Sequence, residues 1–101
     1  MIISYEQERK MNKALLEGSG LNSDEADLLG KVVAHSDFTG VYSHGMSRMT
    51  AYLGSFSENV INPKADIEVI SDVGSTVVVD CHNGSGILSA IKTYKLVLEK
   101  A

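Results

Sequence analysis

Four side chains in the segment GVYSHGMSRMTAY, residues 40–52, have types and spacing that could do chemistry together: Ser43, His44, Arg48 and Tyr52. Histidine is the side chain that exchanges a proton near neutral pH. Arginine presents a planar fork that grips a carboxylate through two parallel hydrogen bonds. Ser43 stands beside His44 at a position suited to an N-cap, where the positive end of a helix dipole favours an anion. Gly40 and Gly45 flank the pair and remove side-chain bulk, so a substrate could approach the backbone closely.

The spacing matters as much as the types. An α-helix turns ~100° per residue, so positions four apart lie ~40° from one another on its surface. On one continuous helix, His44, Arg48 and Tyr52 form an inclined row, while Met46, Met49, Leu53 and Phe56 occupy a different sector. Spacing alone leaves a second reading open. A solvated helix face commonly carries an arginine, and a lone histidine near a helix start is commonly structural or exposed.

The elements that must position these residues can be read from periodicity and caps. Ser4 with Gln7 has the form of a capping box, opening a helix to about Glu17 with Met11, Ala14, Leu15 and Tyr5 on its apolar side. After GSG (18–20), Asn22 or Ser23 caps a second helix to about Ser36. Glu25 is placed as the reciprocal partner of Asn22, and Ala26, Leu29, Val32 and Val33 form the stripe. The two read as a helical hairpin. DFTG (37–40) reads as a loop. A third helix is expected from Ser43 towards Glu58, buried along Met46, Met49, Leu53, Phe56 and Val60, and stopped by NPK (62–64).

Beyond residue 65 the period changes from helical to alternating. DIEVIS (66–71) alternates as a half-buried strand does, DVGS is a turn, and TVVVD (76–80) is a β-branched run, so the two segments predict a hairpin. After CHNGSG, Ile87, Ile91, Tyr94, Leu98 and Ala101 return to helical spacing. The last helix reaches LVLEKA with no terminating glycine, asparagine or proline, the pattern of a chain that continues.

The bulk numbers set limits on function. The 101 residues fit one small domain or part of a larger one, and 44% hydrophobic with 22% charged residues is a globular composition. A net charge of −4, with scattered Lys and Arg, leaves no basic stripe to neutralise nucleic-acid phosphates. The single cysteine, Cys81, permits no internal disulfide and no multi-cysteine zinc site. MIISYEQERK has too short an apolar run for a signal peptide, and no stretch approaches the roughly 20 apolar residues of a bilayer span. A cytoplasmic location is the expectation.

GVYSHGMSRMTAYLGSFSENVINPKADIEVI resembles the G-V-x-S-H-G-x-x-R-x-x-x-Y segment and following I-N-P turn of the malate/L-lactate dehydrogenase family. VVVDCHNGSG is similar to the same family's strand ending in D-x-x-N-G-x-G before a helix, so the likeness spans essentially the whole chain. The resemblance is to the N-terminal portion of a family that also holds ureidoglycolate, sulfolactate and cyclic-imino-acid oxidoreductases. It implies an α/β fold: an N-terminal helical region, here 1–65, then the first strands and helix of a mixed-sheet nucleotide-binding domain, here 66–101. That fold is the family's own and not a standard Rossmann fold.

The resemblance further implies NAD- or NADP-dependent interconversion of 2-keto and 2-hydroxy acids such as malate or lactate, by a homodimer. By position, Ser43 and His44 match the catalytic pair, Arg48 matches the arginine that holds the substrate carboxylate, and Tyr52 matches a tyrosine on the same helix. No cofactor-binding residue is assigned. This chain departs from the pattern at Ile87, where glutamine is usual, and at Tyr42, where aspartate is commoner. The family's second catalytic histidine, and most of its nucleotide sheet, match nothing in 1–101. The chain alone is therefore expected to be inactive, and an interaction module with uncovered apolar surface along Met46, Met49, Leu53 and Phe56 is the rival reading.

Two further candidates are weaker. NGSG (83–86) lies between strand and helix but lacks the G-x-G-x-x-G spacing and any P-loop lysine, so a tight βα turn is expected. His35, His44, His82 and Cys81 have no recognised ligand spacing, so no metal site is expected. His35 reads as a helix-end residue, and Cys81 as a small buried hydrophobe.

Overall fold

The computed structural model describes residues 3–100, and at Tyr42 and Lys100 the backbone alone. Helix α1 (Tyr5–Gly18) opens on the expected capping box. Gln7 N–H donates to Ser4 Oγ at 3.1 Å, and Ser4 N–H donates to Gln7 Oε1 at 2.8 Å. Helix α2 (Ser23–Phe38) is capped by Asn22, whose Oδ1 accepts from Glu25 N–H at 2.8 Å while its Nδ2 donates to Glu25 Oε1 at 2.7 Å. His35 does lie in the last turn of α2. The turn between the helices tucks Gly20, at φ 113°, under the buried ring of Pro63.

The buried face of α1 is not the apolar stripe. Met11 and Leu15 are 41% and 38% exposed and Ala14 is exposed, while Glu8, Asn12 and Leu16 are buried. Two of those three positions carry polar groups whose partners lie on α2, so hydrophobicity could not mark the face. Asn12 Nδ2 donates to Gly30 O at 3.2 Å. Gly30 is where the helices touch: a Cβ there would lie 3.1 Å from Asn12 Cβ and 3.2 Å from Lys13 N. Arg9 clamps the outer edge, bonding both carboxylate oxygens of Asp27 at 3.3 and 3.1 Å.

The third helix is shorter than its periodicity suggests. Residues Tyr42–His44 and Met46–Arg48 form two 3₁₀ turns, and α3 proper covers only Met49–Ser57. Met49 and Phe56 nevertheless join Leu16, Leu29 and Val33 in the core, with Met46 and Leu53 packed against it. The apolar surface expected to stay uncovered there is thus closed by α1 and α2. Val60 falls beyond the helix and is exposed.

Strands β1 (Glu68–Val73) and β2 (Thr76–Asp80) pair antiparallel around the Gly74–Ser75 turn, with the register shifted between Val69 and Ser71. Gly74 adopts φ 58°, the left-handed geometry that tight hairpins require. The expected half-burial fails for β1, every position of which is exposed; in β2 only Val77 and Val79 are half-buried. The alternation is present, but no layer among the described residues packs on the face it prepares. Helix α4 (Gly86–Lys100) buries Leu88 in the core, whereas Tyr94 and Leu98 are exposed. Ala101, the end of that expected stripe, lies outside the described residues. Lys92 ties α4 down, its Nζ reaching Glu25 Oε2 at 2.7 Å and Asp66 Oδ1 at 3.0 Å. Among the described residues, four α-helices and a two-stranded sheet bear out the α/β class.

Candidate active-site segment

Residues 40–48 form a ledge built on the end of α2. The last turn of α2 includes Asp37 and Phe38, which the sequence placed in a loop. The chain then reverses at Gly40, in the left-handed region at φ 84°, where Val41 N–H returns to Ser36 O at 2.8 Å. His44 N–H closes the first 3₁₀ turn onto Val41 O at 3.1 Å, and Arg48 N–H closes the second onto Gly45 O at 2.9 Å.

Between the turns sits Gly45, buried against the Asp37 carboxylate. The Asp37 carboxylate occupies the space where a side chain would begin, so the position has no room for a Cβ. The same carboxylate caps the second turn, Oδ2 accepting from Met46 N–H at 2.8 Å. Asp37 in turn hydrogen-bonds Glu8 of α1. Glu8 is 4% exposed, and its Oε2 is buried without a partner among the described residues. Burial, then the bond to Asp37, then the charge of Asp37 push the Glu8 carboxyl up to about 7.

This support breaks the continuous row expected for His44, Arg48 and Tyr52. The step from His44 to Arg48 crosses two tight turns and a bend instead of one helical turn. Arg48 to Tyr52 survives as a helical step, because Arg48 is the N-cap of α3 and has helical backbone angles. Ser43, His44 and Arg48 are exposed together on the ledge, while Tyr52 is half-buried and packs against the core. Ser43 is not the N-cap of α3.

Ser43 instead serves His44 directly, its Oγ lying 3.0 Å from Nδ1. With the hydroxyl donating to Nδ1, Nε2 carries the proton; in the other neutral tautomer Nδ1–H donates to the hydroxyl oxygen and Nε2 is an acceptor. With the ring doubly protonated, Nδ1–H donates to the hydroxyl oxygen and Nε2–H is a second donor. Two of these three forms hold an N–H donor at Nε2. The Arg48 guanidinium is in no ion pair among the described residues, so its fork is open to an incoming carboxylate.

Elsewhere, Asn83–Gly86 is the tight βα turn expected: Gly84 N–H donates to Cys81 O at 2.9 Å, and Asn62 N–H to Asn83 O at 2.8 Å. His82 does have the acidic neighbours that linear spacing concealed. Its Nε2 lies 2.8 Å from Glu68 Oε1 and its Nδ1 3.8 Å from Asp80 Oδ2, with all three residues exposed. Cys81 is half-buried.

The sequence matches the malate/L-lactate dehydrogenase family over residues 3–101. An L-sulfolactate dehydrogenase of Methanocaldococcus jannaschii is 31% identical over all 101 residues, which make up 29% of that protein. A malate/(S)-sulfolactate dehydrogenase of Methanothermus fervidus is 30% identical over the whole chain and 30% of its own length. The structure of a sulfolactate dehydrogenase from M. jannaschii superposes with a TM-score of 0.93 at 31% identity, covering 100% of this chain and 29% of the other. The chain thus spans under a third of the length of these relatives.

Proposed function

The chain belongs to the malate/L-lactate dehydrogenase family, and from that premise we propose that it forms the substrate-binding ledge of an NAD- or NADP-dependent 2-hydroxy-acid dehydrogenase. The observation that carries the reading is the ledge itself: an exposed imidazole bonded to Ser43 and, four residues on, an exposed arginine outside any ion pair among the described residues. Arg48 binds the carboxylate of a 2-keto acid. His44 Nε2–H donates to the neighbouring carbonyl oxygen and carries the proton that becomes the hydroxyl hydrogen. A bound nicotinamide supplies the hydride to the carbonyl carbon. Tyr52, at the inner end of the segment, backs the substrate pocket.

The described residues fit the substrate half of such a site and not the dinucleotide half. The Gly84 N–H is already committed to Cys81 O, so the Asn83–Gly86 turn offers no cradle built on it. Malate, lactate and sulfolactate are the acids of first choice, in a cytoplasmic homodimer of family length. No catalysis is expected of residues 1–101 alone. Keto-acid-dependent oxidation of NADH or NADPH by the purified 101-residue chain would overturn that part of the reading. Binding is the direct test. Oxaloacetate or pyruvate at millimolar concentration should move the His44 ring and Arg48 side-chain NMR signals, and Arg48→Lys should weaken binding several-fold. Signals that stay fixed in both proteins would return the ledge to an ordinary solvated surface.

The uncovered apolar surface supports a second role for the same chain, that of a docking module. Val69, Ile70 and Val73 on β1, with Tyr94, Val97 and Leu98 on α4, are all exposed. A sharp, monodisperse monomer at high concentration would exclude it.

A further inference from the structure

Beneath the ledge, the carboxyl groups of buried Glu8 and half-buried Asp37 meet, one from α1 and one from the last turn of α2. We propose that Glu8 and Asp37 are positioning residues for the Ser43–His44 pair. A proton held between their carboxyl groups keeps Asp37 against Met46 N–H, and so fixes the bend from which Ser43 and His44 project. The importance of the pair rests on the proposed role of the ledge; its action on the bend does not.

The placement of the proton follows from the geometry. Asp37 Oδ2 already accepts from Met46 N–H at 2.8 Å, so this oxygen acts as an acceptor. Glu8 has a buried oxygen without a partner among the described residues, which penalises charge far more than neutrality. Glu8 is therefore the protonated member, its O–H donating to Asp37. Without that proton two carboxylates would face each other with no donor between them, and Asp37 would swing away from Gly45 and Met46. Other charges near the pair are otherwise engaged or outward. Arg9 is held by Asp27, Lys13 pairs with Glu17, and His35, His44 and Arg48 are exposed.

The test uses the chain labelled with ¹⁵N-methionine, which has four methionines, so that Met46 can be assigned by a Met46→Leu variant. Between about pH 5 and about pH 9, the Met46 amide should shift with a single midpoint that coincides with the Glu8 carboxyl ¹³C titration. In Glu8→Gln the side-chain amide donates to Asp37 at every pH, so the Met46 signal should stay at its low-pH position. In His44→Ala the Met46 titration should persist. A flat Met46 amide in the unsubstituted chain overturns the proposal, as does a titration that survives Glu8→Gln or disappears with His44. Should Glu8→Gln fail to fold, the unsubstituted chain and His44→Ala decide between the same outcomes. None of these readouts needs catalysis, so failure of the dehydrogenase reading remains a separate result.

Discussion

Gly45→Ala should be the most damaging single methyl addition to the ledge. The new Cβ would overlap the Asp37 carboxylate, with Oδ2 at 2.8 Å and the rest of the group closer still. The cost counted here comes from displacing Asp37. Moving it breaks the bond to Met46 N–H and disturbs the contact with buried Glu8. Losing a carboxylate–amide hydrogen bond costs about 1.5–3 kcal/mol, and overpacking a buried position about 1–3 kcal/mol. The gain from restricting the unfolded chain returns about 0.4–1 kcal/mol. A net loss of about 1.5–5.5 kcal/mol follows, or a fall of at least roughly 6 °C in melting temperature for a chain of this size. Gly54→Ala is the control, because a Cβ inside α3 at that position meets nothing within 4 Å. It should raise the melting temperature by a few degrees. Thermal melts followed by far-ultraviolet circular dichroism compare the three proteins. If Gly45→Ala melts with or above the parent, the Asp37 support does not exist as described.

Three more outcomes follow from the same packing. Glu8, raised to about 7 from 4.5, binds its proton more tightly when folded, so stability is fully present below the unfolded value and falls as pH rises through about 7. Chemical denaturation should show a loss of at most about 3 kcal/mol across that window, abolished in Glu8→Gln. Asp27 and Asp66, held below the ordinary carboxylate range by hydrogen bonds from Arg9 and Lys92, act only at lower pH, where acid destabilises. Gly30→Ala should cost about 1–3 kcal/mol by forcing α1 from α2, since backbone atoms of α1 stand in the way; a neutral melt would refute the close contact. Lys92→Met should raise amide exchange across α4 and leave α1 and α2 protected. Equal protection in both proteins would mean that Leu88 alone holds the helix.

The fold and the site were legible to different depths. The caps of α1 and α2 are legible because they are local: Ser4 with Gln7 and Asn22 with Glu25 make their bonds within three residues. The β-hairpin was equally local. What failed was every feature fixed by a distant partner. Glu8 and Asn12 are buried because α2 supplies Asp37 and Gly30, so the α1 stripe was misread by one position. The long helix through the Ser-His pair failed for the same reason. Asp37 draws Met46 N–H away from helical geometry, and nothing in the spacing of His44, Arg48 and Tyr52 records that. The roles of the ledge residues remain a proposal, and the device beneath them leaves only a faint linear trace. A signal was available in hindsight: an acidic residue just before a Gly-flanked Ser-His pair, and another on the helix that packs across it.

The bare hairpin carries a hazard that its role in the fold does not explain. Among the described residues each strand has one neighbour, so both outer edges present unpaired backbone groups. The run TVVV is β-branched, uncharged and free of proline, the composition of segments that stack into cross-β fibrils. Its guards are carboxylates: Asp80 ends β2, paired across the ladder with Glu68, and Asp72 stands opposite Val77. Like charges stacked in register repel, so these three acids act as gatekeepers against self-templating. That protection rests on charge, and neutral residues at these three positions would leave a valine edge that can recruit its own copies.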